Sequence, residues 1–195
     1  MKNCTTLPLT HQKLFSSDLK NDKRLMLLVN GIALAIAVAL LVPALFIVPI
    51  SCLFDMSGGL GAYALRFGVL LVGSIAYILL HELVHGIFMK ALSGVKPRYG
   101  LTGPYAYAGS DAYFNRKSYI VIALAPVVIW GVVLGVLNCF TSPEWFWVVY
   151  LIQIANLSGA GGDLYVTAKF SRLPSDILVQ DTGVAMTVFA PSDHQ

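Results

Sequence analysis

The sequence predicts an all-α membrane protein, with four transmembrane helices and a short β-like loop between the second and third. Three observations predict it. Of the 195 residues, 57% are hydrophobic and only 12% are charged, about half the charged share of an ordinary soluble domain. Four runs are apolar and long enough to cross about 30 Å of hydrocarbon, which takes on the order of 20 helical residues. Twelve of the 13 Lys and Arg residues lie on one side of the resulting topology. A soluble chain of this length buries only about 60–70% of the surface its unfolded form exposes, too little to hide this much apolar side chain. Disorder is excluded by the same composition, since it needs low hydrophobicity and high net charge.

The first span runs over about 25–53, and Pro43 and Pro49 end or kink it near its far end. It is too long for a signal-peptide core and is read as retained. The second covers about 67–92 and the third about 119–140. The fourth, about 145–170, opens on Trp145-Phe146-Trp147, residues suited to a membrane interface. Lys2, Lys13, Lys20, Lys23 and Arg24 precede the first span. Lys90, Lys96, Arg98, Arg116 and Lys117 flank the loop after the second, and Lys169 and Arg172 stand at the tail; only Arg66 lies on the other side. The positive-inside rule then places the 1–24 segment and the 171–195 tail in the cytoplasm, around a single membrane-embedded domain in the cell membrane. The Asn3 sequon would be inert there.

Other totals exclude more than they assign. A net charge of +3 gives no footprint for nucleic acid. Cys4, Cys52 and Cys139 are odd in number and far apart, neither a disulfide framework nor a thiolate zinc site. Gly131 and Gly135 form a GxxxG pair on the third span, which marks either packing within the bundle or a homodimer face.

The chemistry concentrates in the second span, at His81-Glu82-Leu83-Val84-His85. Residues i and i+4 share one face of a helix, so both imidazoles can reach one ion while Glu82 stands beside it. This is the HExxH signature of zinc hydrolases. Two histidines and a third protein ligand leave one zinc position for water, whose pKa falls to about 7. Placing ionisable groups within a lipid-spanning run costs about 2.5–3.5 kcal/mol for each charge near the helix centre, which favours a functional reading over helix-to-helix hydrogen bonding.

A third ligand has to come from another element. Asp163, in Asn156-Leu157-Ser158-Gly159-Ala160-Gly161-Gly162-Asp163, is the one acid well inside another span. The second and fourth spans run in the same direction. His81 and His85 lie 11 and 7 residues before Leu92, and Asp163 lies 7 before Phe170, so at about 1.5 Å per residue the three share one depth. Gly159, Gly161 and Gly162 let that segment approach closely or unwind around an ion. The alternatives are an aspartate that snorkels to the interface, or a ligand from Asp111 or Asp181.

On the HELVH helix, the loop after it, Leu124-Ala125-Pro126 and the NLSGAGGD segment, the chain resembles the site-2 protease group of intramembrane zinc metalloproteases. It is most similar to a bacterial branch of zincin peptidases whose function is unknown. The resemblance spans roughly residues 67–170. It departs from the site-2 protease pattern in the second motif: Gly159 stands where a proline is expected, Asp163 comes one residue sooner, and Leu164 follows it. The resemblance implies His81, His85 and Asp163 as ligands to Zn2+, Glu82 as general base, and Asn156 as a donor to the oxyanion.

The loop over 94–114 alternates Tyr105, Tyr107 and Tyr113 with small residues and reads as one or two short strands. It offers either a strand edge for an extended substrate or an aromatic belt at the headgroups. Lys96, Arg98, Arg116 and Lys117 read as contacts to anionic lipid. The expected activity is zinc-dependent cleavage of a protein or peptide, with transmembrane segments among the candidate substrates. Its rivals are a membrane-anchored peptidase acting on soluble peptides and a non-enzymatic metal-binding bundle.

Overall fold

The computed structural model describes residues 2–17, 22–102, 105–183 and 185–192; Lys20 and the Gly103-Pro104 turn lie outside them. In chain order the elements are strand β1 (His11–Ser17), helix α1 (Lys23–Ile47), a 3-10 turn (Ile50–Phe54) and helix α2 (Gly59–Ser93). Strands β2 (Arg98–Thr102), β3 (Tyr105–Gly109) and β4 (Tyr113–Asn115) follow. Helices α3 (Arg116–Cys139), α4 (Pro143–Gly159) and α5 (Gly161–Phe170) precede strands β5 (Leu178–Asp181) and β6 (Met186–Pro191).

Local chemistry explains the helix ends. Asp22 caps α1, its Oδ1 accepting the N–H groups of Arg24 and Leu25 at 3.0 and 3.1 Å. The helix stops at Ile47, short of the expected residue 53, because the residue before Pro49 is driven out of the helical region. Helix α2 begins earlier than expected, at Gly59, and runs for 35 residues. It closes on Gly94, whose φ of 74° suits the position after a helix and whose N–H reaches the Lys90 carbonyl at 2.8 Å. Helices α1, α2 and α3 are long and apolar enough to cross a membrane.

The expected fourth span, 145–170, is not one helix. It breaks at Ala160 into α4, of 17 residues, and α5, of 10. Glycine costs a helix interior about 0.5–1 kcal/mol relative to alanine, and three glycines cluster here. One of them, Gly161, also permits a close approach: a Cβ there would stand 3.0 Å from the Val29 carbonyl oxygen.

The all-α expectation is corrected by two antiparallel sheets. The loop read as β-like is a β2–β3 hairpin, pairing Arg98 with Gly109 and Thr102 with Tyr105. The second sheet has four strands in the order β1-β6-β5-β4, and most of it comes from the two terminal segments, which were expected to carry no strands. Its register pairs His11 with Pro191, Leu178 with Phe189 and Tyr113 with Gln180.

The chain forms two compact units. One comprises Met1–Leu28, His81–Pro126 and Gly162–Gln195. It holds both sheets and a core built on Met89, Phe114, Tyr119, Ile122, Phe170 and Val188. Within it Asn3 ties the end of α2 to β4, donating to the Leu92 carbonyl at 2.8 Å and accepting the Asn115 N–H at 2.9 Å. The other unit, Val29–Leu80 and Val127–Gly161, is helical. Small clusters around Trp147 and around Tyr77 pack it, and Trp147 Nε1 donates to the Pro49 carbonyl at 3.1 Å. Leu34, Leu71, Val72 and Val132 on its helices are exposed.

Candidate metal centre

All the groups of the centre lie in the sheet-bearing unit. The turn of α2 that carries His81, Glu82 and His85 is fixed by core packing at Met89, one turn beyond His85. Both imidazoles are buried on the shared face that the i, i+4 spacing requires. Asp163 enters from the first turn of α5, directly after the helix break.

The three side chains converge. His81 Nε2 lies 3.2 Å from His85 Nε2 and 3.4 Å from Asp163 Oδ2. His85 Nε2 lies 3.6 Å from Asp163 Oδ1. Donor atoms about 2.0–2.1 Å from a tetrahedral zinc stand about 3.3 Å apart, so this triangle has the edges that such an ion needs. Two nitrogens and a carboxylate oxygen are also a donor set that zinc takes in hydrolytic sites. Among the described residues the group has these three members, which leaves a fourth tetrahedral position without a protein ligand.

Two main-chain groups orient the site. His85 Nδ1 lies 2.9 Å from the carbonyl oxygen of Ile122 on α3. A carbonyl can only accept, so Nδ1 carries the proton and Nε2 keeps its lone pair toward Asp163 and His81. On the other flank, the Ala108 N–H of β3 donates to Glu82 Oε2 at 2.8 Å. That bond fixes the carboxylate of the one acid in the motif that is not part of the donor triangle.

The other residues read from the sequence are placed as follows. Asp111 is exposed and pairs with Arg98 at 2.5 Å. Asp181 accepts the Tyr119 hydroxyl at 2.5 Å. Neither belongs to the donor group. Asn156 is fully buried in the helical unit, where Tyr77 donates to its Oδ1 at 3.1 Å and its Nδ2 donates to the Val127 carbonyl at 3.2 Å. The same Nδ2 also lies 3.4 Å from Gln153 Oε1. Gly131 lies on the same network, its carbonyl accepting from Gln153 Nε2 at 3.1 Å.

The main-chain groups of Ala108 and Ile122 that hold Glu82 and His85 left no signal in the sequence, since they lie 26 and 37 residues from their partners and any residue type supplies the same N–H or carbonyl.

Residues 74–178, just over half of the chain, match the profile of a family described as "Putative zincin peptidase". The match covers the HELVH turn, both hairpin strands and Asp163. An "Uncharacterized 24.7 kDa protein in gap 5'region" from Pyrococcus woesei is 33% identical over 118 residues, which cover 57% of this chain. The matched part spans about half of that relative's length. No solved structure matches the chain. With its family profile running from before the first histidine to beyond the aspartate, the chain belongs to the putative zincin peptidase family.

Proposed function

We propose that the chain is a zinc-dependent endopeptidase of the HExxH type whose site lies in or beside a membrane. The observation that carries this reading is the triangle of His81, His85 and Asp163 donor atoms, with the carboxylate of Glu82 held next to it by Ala108. A scaffold that only stored metal would need the three ligands and no such carboxylate.

Zinc held by these three would supply Lewis acidity, lowering the pKa of a coordinated water to about 7 and polarising a carbonyl. Glu82 takes the proton of the attacking water and returns it to the leaving amine. His85 stays in one tautomer because Ile122 accepts its Nδ1 proton. The β2–β3 hairpin is the substrate platform: among the described residues β2 pairs only with β3, so its outer edge offers main-chain groups to an extended peptide. Tyr99 of β2 lies over Gly86, the residue after His85, which keeps that edge near the site.

Membrane residence is supported by α1, α2 and α3, which are long, apolar and covered with exposed leucine and valine. Exposed apolar surface on that scale is unstable in water and stable in lipid. The basic residues at the helix ends favour cytoplasmic termini and a site near the cytoplasmic face of the cell membrane.

The test is metal analysis of the purified protein together with cleavage of quenched peptides and of a model transmembrane substrate. One zinc per chain is expected, lost in His85→Ala and Asp163→Ala. Glu82→Gln is expected to keep its zinc and lose turnover by about 10²–10⁴-fold. A metal-free wild-type protein, or a fully active Glu82→Gln variant, would overturn the reading. Cleavage of the peptides but not of the membrane substrate would assign the enzyme to soluble peptides.

A further inference from the structure

The two main-chain groups that orient the site, the Ile122 carbonyl and the Ala108 N–H, belong to different elements, and one residue outside the site is bonded to α3 and to the residue that follows β3. Asp181, the last residue of β5, makes three hydrogen bonds. Its Oδ2 accepts the Tyr119 hydroxyl at 2.5 Å. Its Oδ1 accepts the Gly183 N–H at 2.8 Å. Its main-chain carbonyl accepts the Ser110 N–H at 2.7 Å.

The partners lie one short step from the catalytic groups. Tyr119 and Ile122 are three residues apart on α3, hence on one helix face, and Ile122 holds His85. Ser110 is the residue after the end of β3 and stands two residues from Ala108, which holds Glu82. The β5–β6 turn also presses directly on β3. A Cβ at Gly109 would stand 2.2 Å from the Thr182 carbonyl oxygen, and one at Gly183 would stand 2.1 Å from the Tyr107 ring. Only glycine permits either contact, and the φ of 83° at Gly183 is itself a glycine conformation. Tyr119 is buried in the core, so its hydroxyl has a fixed direction.

We propose that the Asp181 side chain is a positioning group that sets the ring of His85 through the Tyr119 hydroxyl and α3, while the main-chain carbonyl of the same residue anchors Ser110, just beyond the strand that holds Glu82. This rests on the metallopeptidase reading above. It makes the C-terminal strands part of the site, although the family match ends at residue 178.

The experiment uses the full chain in detergent, with zinc and cobalt as the probes. Zinc affinity is measured by chelator competition, and geometry by the visible spectrum at saturating cobalt. Asp181→Ala is expected to weaken zinc binding by about 10–100-fold, the range for outer-shell partners, and to shift the cobalt spectrum. Tyr119→Phe keeps the buried ring and removes one hydroxyl. It is expected to move both readouts the same way by a smaller factor, and the double variant to be no weaker than Asp181→Ala. Asp181→Asn, which retains an acceptor, is expected to recover part of the affinity. Wild-type affinity and spectrum in both Tyr119→Phe and Asp181→Ala, whatever their thermal stability, would overturn the proposal, and Tyr119→Phe alone decides it if Asp181→Ala does not fold. A wild-type protein that binds neither metal would instead sink the metallopeptidase reading and this one with it.

Discussion

The N–H of Ala108 points at Glu82 Oε2 from 2.8 Å, so the acid that the motif reserves for proton transfer is fixed by a main-chain donor from outside its own helix. Replacing that donor tests the relationship without touching a ligand. In the hairpin register Ala108 stands opposite Tyr99, and its single N–H is given to Glu82 rather than to β2. Ala108→Pro is therefore expected to leave the hairpin paired and the zinc content unchanged while turnover falls by about 10²-fold, the penalty for a catalytic group displaced by about 1 Å. Steady-state kinetics beside metal analysis check this, and an unaltered kcat would show that Glu82 needs no such support.

Two glycines near the site predict opposite costs. At Gly109 an added methyl meets the main chain of Thr182 and Gly183, which cannot swing aside. Gly109→Ala is expected to lose about 1–3 kcal/mol of stability, the usual cost of overpacking, and to lower activity by shifting Ala108. At Gly86 the methyl meets only the end of Tyr99, a side chain that is half exposed. Gly86→Ala is expected to be close to neutral, because alanine gains about 0.5–1 kcal/mol in a helix interior. Unfolding curves in detergent compare the two, and equal losses would contradict the assigned contacts.

Stability should also carry a pH signature from Asp181. Burial pushes its carboxyl above the ordinary carboxylate range, although the Tyr119 hydroxyl and the Gly183 N–H pull it down. The folded chain thus keeps a proton at pH values where the unfolded chain has released it. Stability then falls as pH rises from the ordinary carboxylate value through the raised one, and the loss is constant above that. Asp181→Asn cannot ionise and is expected to flatten this segment of the curve. Unfolding midpoints across the acid range measure it, and superimposable slopes would refute the assignment.

Much of the centre was legible in the sequence because its geometry is local or is set by depth. The i, i+4 spacing puts His81 and His85 on one face whatever the rest of the chain does. Counting residues from the ends of two parallel spans was enough to bring Asp163 level with them. The hairpin announced itself through alternating tyrosines. The four-stranded sheet did not, because its strands are short and polar, as in His11–Ser17, or only four residues long, as in Leu178–Asp181. Their stability comes from partners as remote as His11 and Pro191, which no local pattern encodes. The break at Ala160 was half legible: the glycines signalled a place where a helix can unwind, but not that α5 starts afresh with Asp163 in its first turn.

The four-stranded sheet imposes a counting rule on any bilayer the chain enters. Strand β1 precedes α1, β4 lies between α2 and α3, and β5 and β6 follow α5, yet all four are joined edge to edge. Hydrogen-bonded neighbours must share one aqueous compartment, so an even number of crossings separates β1 from β4, and again β4 from β5. Helices α1 and α2 satisfy the first pair. For the second, a bilayer crossed by α3 would need α4, at 17 residues or about 25 Å, as its return leg, although α4 is shorter than the three helices long and apolar enough to span. Reporter tags fused to the two ends of the chain should consequently always be found on the same face.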